Sequence, residues 1–161
     1  MRDNELTIRP AERGDTALIL ELIRELADYE NLLHEVTATT SILETWLFDK
    51  QRAEVLIAEY GGAPVGYALF FHNFSTFLGK SGIYVEDIYV RPDYRGRGFG
   101  KALFRALARI TAERGCGRLE WSCLDWNAPS IGFYTSLGAE TMSEWSQYRL
   151  SGTALEDFAK G

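Results

Sequence analysis

The sequence predicts an α/β fold of the layered α+β kind, with a mixed central sheet and helices on both faces. Three observations carry this. Leu18, Ile19, Leu22, Ile23, Leu26 and Tyr29 recur at the spacing of one helical stripe. Between Glu54 and Val90 the pattern changes to successive β-prone runs. From Ile83 to Leu124 a strand, a glycine-rich turn, a helix and a strand follow in order, the pattern of a right-handed parallel crossover.

Leu6-Thr7-Ile8-Arg9 reads as a first short strand ended by Pro10. The stripe from Leu18 to Tyr29 is the first helix. Thr39 to Phe48 is a second, shorter one carrying Ile42, Leu43, Trp46 and Leu47. Glu54 to Tyr60 is a strand, Gly61-Gly62 a hairpin turn, and Pro64 to Asn73 the next strand. Ser75 to Gly82 reads as a loop, and Ile83 to Val90 as a third strand of this group. The three are expected to pair antiparallel. Arg91-Pro92-Asp93 ends the last of them, and Gly96 to Gly100 forms the glycine turn. The helix that follows, to Arg114, puts Leu103, Leu107 and Ile110 on one face and Lys101, Arg105 and Arg109 on another. Leu119 to Leu124 is a strand, and Asn127 to Leu137 a short helix closed by Gly138. A last strand around Gln147 to Leu150 and a tail helix complete the order. With no repeat, low-complexity tract or linker, residues 1–161 are expected to form a single domain.

Hydrophobic residues make up 46% and charged residues 25%, a globular and not a disordered balance. The net charge of −6 argues against a nucleic-acid partner. No run approaches the roughly 18 apolar residues of a membrane span, so no membrane partner is expected. Met1-Arg2-Asp3-Asn4-Glu5 precedes no apolar stretch, so no secretory leader and a cytoplasmic location are expected. Cys116 and Cys123 match neither a C-x-x-C nor a zinc spacing. They are expected to be reduced thiols in or near the core, with no bound metal.

Three stretches carry chemistry. Arg95-Gly96-Arg97-Gly98-Phe99-Gly100-Lys101 lies between a strand and a helix. Glycines there let bare N–H groups curl toward an anion, and the new helix adds its own unpaired N–H groups and dipole. It is not a phosphate-binding Walker loop, since the spacing fails and Ala102 follows the lysine; nor a dinucleotide fingerprint, since Lys101 stands at the third glycine. Taken alone it is either a phosphate cradle or a flexible helix entry. Glu86-Asp87 interrupts an apolar strand. Burying either carboxylate unpaired is costly, so the strand faces a solvated cleft, carries a bulge, or holds an ion pair with an arginine. Finally, in Asp125-Trp126-Asn127-Ala128-Pro129-Ser130-Ile131-Gly132-Phe133-Tyr134, Asn127 can cap a helix. Ser130 and Tyr134 then look along one face; alone, Tyr134 reads as a core aromatic with a hydrogen-bonded hydroxyl.

Their joint order, V-E-D-I-Y-V-R-P-D-Y-R-G-R-G-F-G-K and then D-W-N-A-P-S-I-G-F-Y-T-S-L-G-A, resembles the GNAT family of N-acetyltransferases. Within it the chain is similar to the diamine group, the spermidine/spermine and thialysine acetyltransferases. The resemblance runs from Ile8-Arg9-Pro10-Ala11 through Leu26-Ala27-Asp28-Tyr29-Glu30 to Leu137-Gly138-Ala139. It implies a GNAT-like acyl-CoA N-acyltransferase fold, acetyl-CoA as co-substrate and a homodimer. By the resemblance, Arg95, Gly96, Arg97, Gly98, Phe99, Gly100 and Lys101 would hold the coenzyme A pyrophosphate, chiefly through backbone N–H groups. The backbone of Ile88, Tyr89 and Val90 would bond the pantetheine arm like an added strand. Asn127 and Ser130 would contact the cofactor beyond it, and Tyr134 would lie near the thioester sulfur. Glu30, Glu86 and Asp87 would face the amine. The polyamine enzymes carry an aspartate and a tryptophan where this chain has Ser75 and Phe77, so a simpler amine than spermine is expected, a diamine or a lysine-like side chain.

At pH 7 roughly one primary amine in 2,500 is neutral and nucleophilic, a handicap of about 4.6 kcal/mol. Nearby carboxylates bind the ammonium but raise its pKa further, so a proton acceptor is needed. Glu86, directly or through a water, is the candidate base. A backbone N–H of the Ile88–Val90 segment would stabilise the oxyanion, and the Tyr134 hydroxyl would protonate the thiolate. No covalent acyl-enzyme is required, and nothing beside Cys123 looks like an activating base. Two other functions fit the same motifs: acetylation of a protein lysine or N-terminus, and sensing of acetyl-CoA without turnover.

Overall fold

The structure, a computed structural model, describes residues 5–161. The charged start Met1–Asn4, on which the expectation about a leader rests, lies outside them. The chain divides into two compact units, one ending at Ser122 and one spanning Cys123–Gly161.

The first unit is a five-stranded mixed sheet in the order β1 (Leu6–Pro10), β2 (Glu54–Tyr60), β3 (Ala63–Ser75), β4 (Lys80–Val90), β5 (Leu119–Trp121). The first four are antiparallel neighbours, and β5 runs parallel to β4, as the crossover pattern requires. Gly61 and Gly62 have φ of +59° and +77°. Positive φ at both central residues is the demand of the hairpin turn joining β2 to β3.

Alternation along the strands separates two apolar layers. On one face Leu56, Ala58, Val65, Ala68, Phe70, Ile83 and Val85 pack with Phe99, Leu103 and Leu107 of helix α3 (Phe99–Glu113). On the other, Val55, Ile57, Tyr67 and Tyr89 pack with Ile19 and Leu22 of helix α1 (Thr16–Tyr29) and with Leu47. The sheet therefore has helices on both faces, as expected. Tyr29 departs from the α1 stripe: it is exposed, with the Arg95 guanidinium over its ring at 4.7 Å.

Three boundaries differ from the sequence expectation. The stretch Ser75–Gly82 is half ladder, with Ser75, Phe74 and Asn73 opposite Lys80, Ser81 and Gly82, and only residues 76–79 form the turn. Its glycine at 82 serves close packing, since a Cβ there would lie 2.6 Å from Asn73 Oδ1. The second helix, α2 (Thr40–Glu44), is capped by Thr39, whose hydroxyl accepts the Ile42 N–H at 3.2 Å. It continues as one π-helical turn, Thr45–Asp49, closed by Lys50 N–H donating to Thr45 O. The third is β5, which stops at Trp121 instead of Leu124.

In the second unit, α4 (Ala128–Ser136) ends at Leu137 with Gly138 at φ +87°, the left-handed stop read from the sequence. Helix α5 spans Gly152–Ala159. Gln147–Leu150 forms no strand, and Tyr148 is 93% exposed. Four alternating residues are too few to specify a strand without a neighbour to pair with. Among the described residues no helix is long and apolar enough to cross a membrane. Cys116 is a half-buried free thiol, and Cys123 is also half-buried.

Candidate active site

The acidic pair sits at a β-bulge. Leu69 of β3 lies opposite Asp87 and Phe70 opposite Val85, so Glu86 is the extra residue of β4. The extra residue changes the parity of the strand. Ile83 and Val85 face the α3 layer before it, and Ile88 and Val90 pack there after it. Without the bulge Asp87 would point into the α3 core; with it, Asp87 turns to the α1 side, where the Tyr67 hydroxyl donates to its Oδ2 at 2.8 Å. Glu86 is left exposed. Of the three ways to accommodate the pair, the bulge is the one realised, and among the described residues no ion pair to an arginine accompanies it.

Burial holds the Asp87 carboxyl above its ordinary pKa, opposed by the Tyr67 bond and reinforced by the charge on Glu86. Glu30, just past the end of α1, is also raised, first by burial and then by the charge on Asp87. The structure thus brings Glu30, Glu86 and Asp87 into one electrostatic cluster. Tyr67 is fully buried, and its hydroxyl is pushed far up by burial and by Asp87.

Beyond the bulge, no strand among the described residues pairs with the β5-side edge of β4. Its pairing with β5 ends at Val85 opposite Trp121. On the other side, Arg91 N–H donates to Val65 O at 2.8 Å. Hydrogen-bonded pairs alternate along an antiparallel ladder, so Tyr89 and Asp87 face β3, while Ile88 and Val90 turn their backbone groups outward. A Cβ on Gly66 would run into the Tyr89 carbonyl oxygen, so the two strands approach closely there. Arg95 Nε donates to the outward Val90 carbonyl at 2.9 Å. The Ile88 N–H and C=O and the Val90 N–H remain directed at the side where β5 has ended.

The glycine turn lies next in sequence. Gly96 and Gly98 have φ of +76° and +81°, and a Cβ on either would meet nothing within 4 Å. Gly98 is the N-cap of α3, so the first N–H groups of a 15-residue helix follow it. A Cβ on Gly100 would touch Val90 Cγ2 at 4.0 Å, which places this helix start beside the end of β4. Phe99 anchors the turn in the core, whereas Arg95, Arg97 and Lys101 are exposed. Arg97 lies over the rings of Tyr60 and Tyr94. The donors and open space suit an extended anionic cofactor.

In the second unit, Asn127 stands at the N-cap of α4 and is buried, but its side chain makes no capping bond to the helix. Ser130, Phe133, Tyr134 and Leu137 are the half-buried residues of the helix and its end, a stripe that includes the Ser130–Tyr134 face read from the sequence.

Sequence reasoning missed Tyr67, a tyrosine in an apolar run that only strand register connects to Asp87. It also missed Arg91, which donates to Glu25, Glu21 and Pro64 O and ties α1 to the β3–β4 end. Ser75 is placed away from the cluster. Its hydroxyl accepts the Leu78 N–H at 3.2 Å in the hairpin turn, opposite Lys80, about 20 Å along β3 from the residue facing Asp87. A carboxylate at 75 would not reach Asp87 of the same chain.

The chain matches the acetyltransferase (GNAT) family over residues 18–139. It is 38% identical to a thialysine N-ε-acetyltransferase of Bos taurus over 94% of this chain and 96% of that protein. It is 33% identical to an L-ornithine N5-acetyltransferase of Arabidopsis thaliana over 95% of this chain and 87% of that protein. Among solved structures, an integron cassette protein from the mobile metagenome of V. cholerae superposes with a TM-score of 0.82 at 25% identity, covering 97% of this chain and 98% of that one. The bulged acidic strand, its β5-side edge and the glycine-capped helix therefore belong to a member of the GNAT family, an acetyl-CoA-dependent N-acetyltransferase.

Proposed function

We propose that the enzyme acetylates the terminal amine of a small cationic acceptor, a lysine-like amino acid or a diamine, by direct attack within a ternary complex. The observation that carries this is the cluster of Glu30, Glu86 and Asp87 beside the β5-side edge of β4. The relatives named for thialysine and ornithine, both amino acids with a side-chain amine, support the same acceptor class.

The cluster divides two jobs that conflict on one carboxylate. Asp87, half-buried and held by Tyr67, binds the ammonium. Glu86, exposed on the bulge, takes the proton directly or through a water and passes it to solvent. The outward N–H of Ile88 or Val90 would donate to the oxyanion as it develops, and the same edge would hold the pantetheine arm as an added strand. The turn from Arg95 to Lys101 and the start of α3 would bind the pyrophosphate. The assignment of Asn127 and Ser130 to the cofactor, and of Tyr134 as the acid that protonates the departing thiolate, rests on the family motif. The family match at 18–139 takes in residues of both compact units, which supports one acetyltransferase domain over the chain.

The test is kcat/KM with acetyl-CoA over lysine, thialysine, ornithine, short diamines, spermidine, spermine and a lysine peptide. A short amine as the best substrate is expected. Spermine or the peptide as the clear winner would refute the acceptor assignment.

A further inference from the structure

We infer that Tyr67 is a positioning residue for the acceptor amine, fixing the orientation of Asp87 from inside the core. The inference rests on the reading of Asp87 as the ammonium site.

Tyr67 is fully buried in the α1-facing layer, its ring against Tyr89 in an edge contact with centroids 6.4 Å apart. Packing there leaves the ring little freedom, so its hydroxyl is a fixed donor. The bond to Asp87 Oδ2, at 2.8 Å, occupies one carboxylate oxygen and leaves Oδ1 to accept from an ammonium. Geometry alone thus selects which oxygen meets the substrate. The bulge at Glu86 makes the contact possible, because it turns Asp87 to the face that Tyr67 occupies.

The bond also favours the charged form of Asp87. Within the first unit the surrounding groups are Glu30 from the end of α1, Tyr67 from β3, and Glu86 and Tyr89 from β4 itself. Tyr89 in turn donates to Glu25 of α1, which Arg91 holds, and the Arg95 guanidinium lies over the Tyr89 ring. Burial and the neighbouring carboxylates all favour a neutral Asp87, and Tyr67 is the group that opposes them. A hydroxyl that donates to the ionised form therefore extends the pH range in which the acceptor is held.

The experiment uses the full chain and four variants. Tyr67→Phe should raise KM for the amine by about tenfold, the usual scale for losing a hydrogen bond to a charged group. KM for acetyl-CoA should not change. The acid limb of kcat/KM for the amine should move to higher pH, since Asp87 loses the bond that lowers its pKa. Incorporating 3-fluorotyrosine at position 67, a more acidic donor of nearly the same shape, should move that limb to lower pH and does not depend on the phenylalanine variant folding. In an Asp87→Asn background, Tyr67→Phe should have no further effect on the amine. An unmoved acid limb in both position-67 proteins overturns the inference, as does a Tyr67→Phe effect that persists undiminished without Asp87. If Asp87→Asn alone leaves KM for the amine unchanged, the ammonium assignment fails and the inference falls with it. An Asp87→Asn effect without a Tyr67 effect overturns the inference alone.

Discussion

Replacing Gly98 by alanine separates a cofactor role from a turn role, because the chain contains its own control. Gly98 and Gly115 flank α3 with φ of +81° and +67°, and at either a Cβ would meet nothing within 4 Å. Both substitutions force an L-residue into the left-handed region, at about 1–2 kcal/mol. For a domain of this size that is a fall in Tm of roughly 2–8 °C for each variant. Only Gly98 caps the helix start proposed to receive the pyrophosphate, and there the added methyl stands where backbone donors must approach an anion. Gly98→Ala should therefore weaken acetyl-CoA binding by at least about tenfold, close to 1.4 kcal/mol, and Gly98→Val by more. Gly115→Ala should bind like the parent. Arg97→Ala should cost less than Gly98→Val, since that exposed guanidinium lies over Tyr60 and Tyr94 at 5.7 and 5.5 Å. Calorimetric titration gives the affinities and thermal melts the stabilities. Equal losses of stability with unchanged acetyl-CoA affinity in Gly98→Ala would refute the cradle.

Other outcomes follow from the same account. Tyr134→Phe should lower kcat by about 10²–10⁴ while leaving acetyl-CoA affinity and Tm nearly unchanged; an unaltered rate when chemistry limits turnover makes Tyr134 a core aromatic. Burial and Asp87 hold Glu30 above its ordinary pKa in the folded protein. The folded state then binds more protons than the unfolded one from about pH 4.3 up to the raised value, and stability falls as pH rises through that window. Glu30→Gln should accordingly resist urea better than the parent at pH 7, with the gap closing below about pH 4; a less stable variant at pH 7 contradicts the assigned cause. The same variant should raise KM for the amine, a cost in function for a gain in stability.

Much of the fold was legible because its signals were local. The Gly61-Gly62 turn, the α3 stripe and the Gly138 stop each follow from residue types at fixed offsets. Glu86-Asp87 was legible as an anomaly, since two carboxylates in an apolar strand demand a device, and a bulge was one of three that fit. What the sequence does not carry is the register between strands. Tyr67 in P-V-G-Y-A-L-F-F looks like any core aromatic, and its link to Asp87 exists only because β3 and β4 pair as they do. Tyr29 keeps the helical period yet lies outside the core, where Arg95 covers it. The π turn after Glu44 has no sequence signature either, because a period of 3.6 and a single wider turn place Trp46 and Leu47 almost alike. Gly82 misled for a related reason: a glycine can mark a loop or a close approach, and the neighbouring strand decides which.

The most direct measurement is mass spectrometry of both partners after the purified protein is incubated with acetyl-CoA and a short lysine-like amine. The account predicts one acetyl group on the amine, formed with stoichiometric free coenzyme A, and an unmodified protein at every time point. No acetylated amine across the acceptor panel, or an acetyl group on Cys123 that the amine then removes, would contradict it.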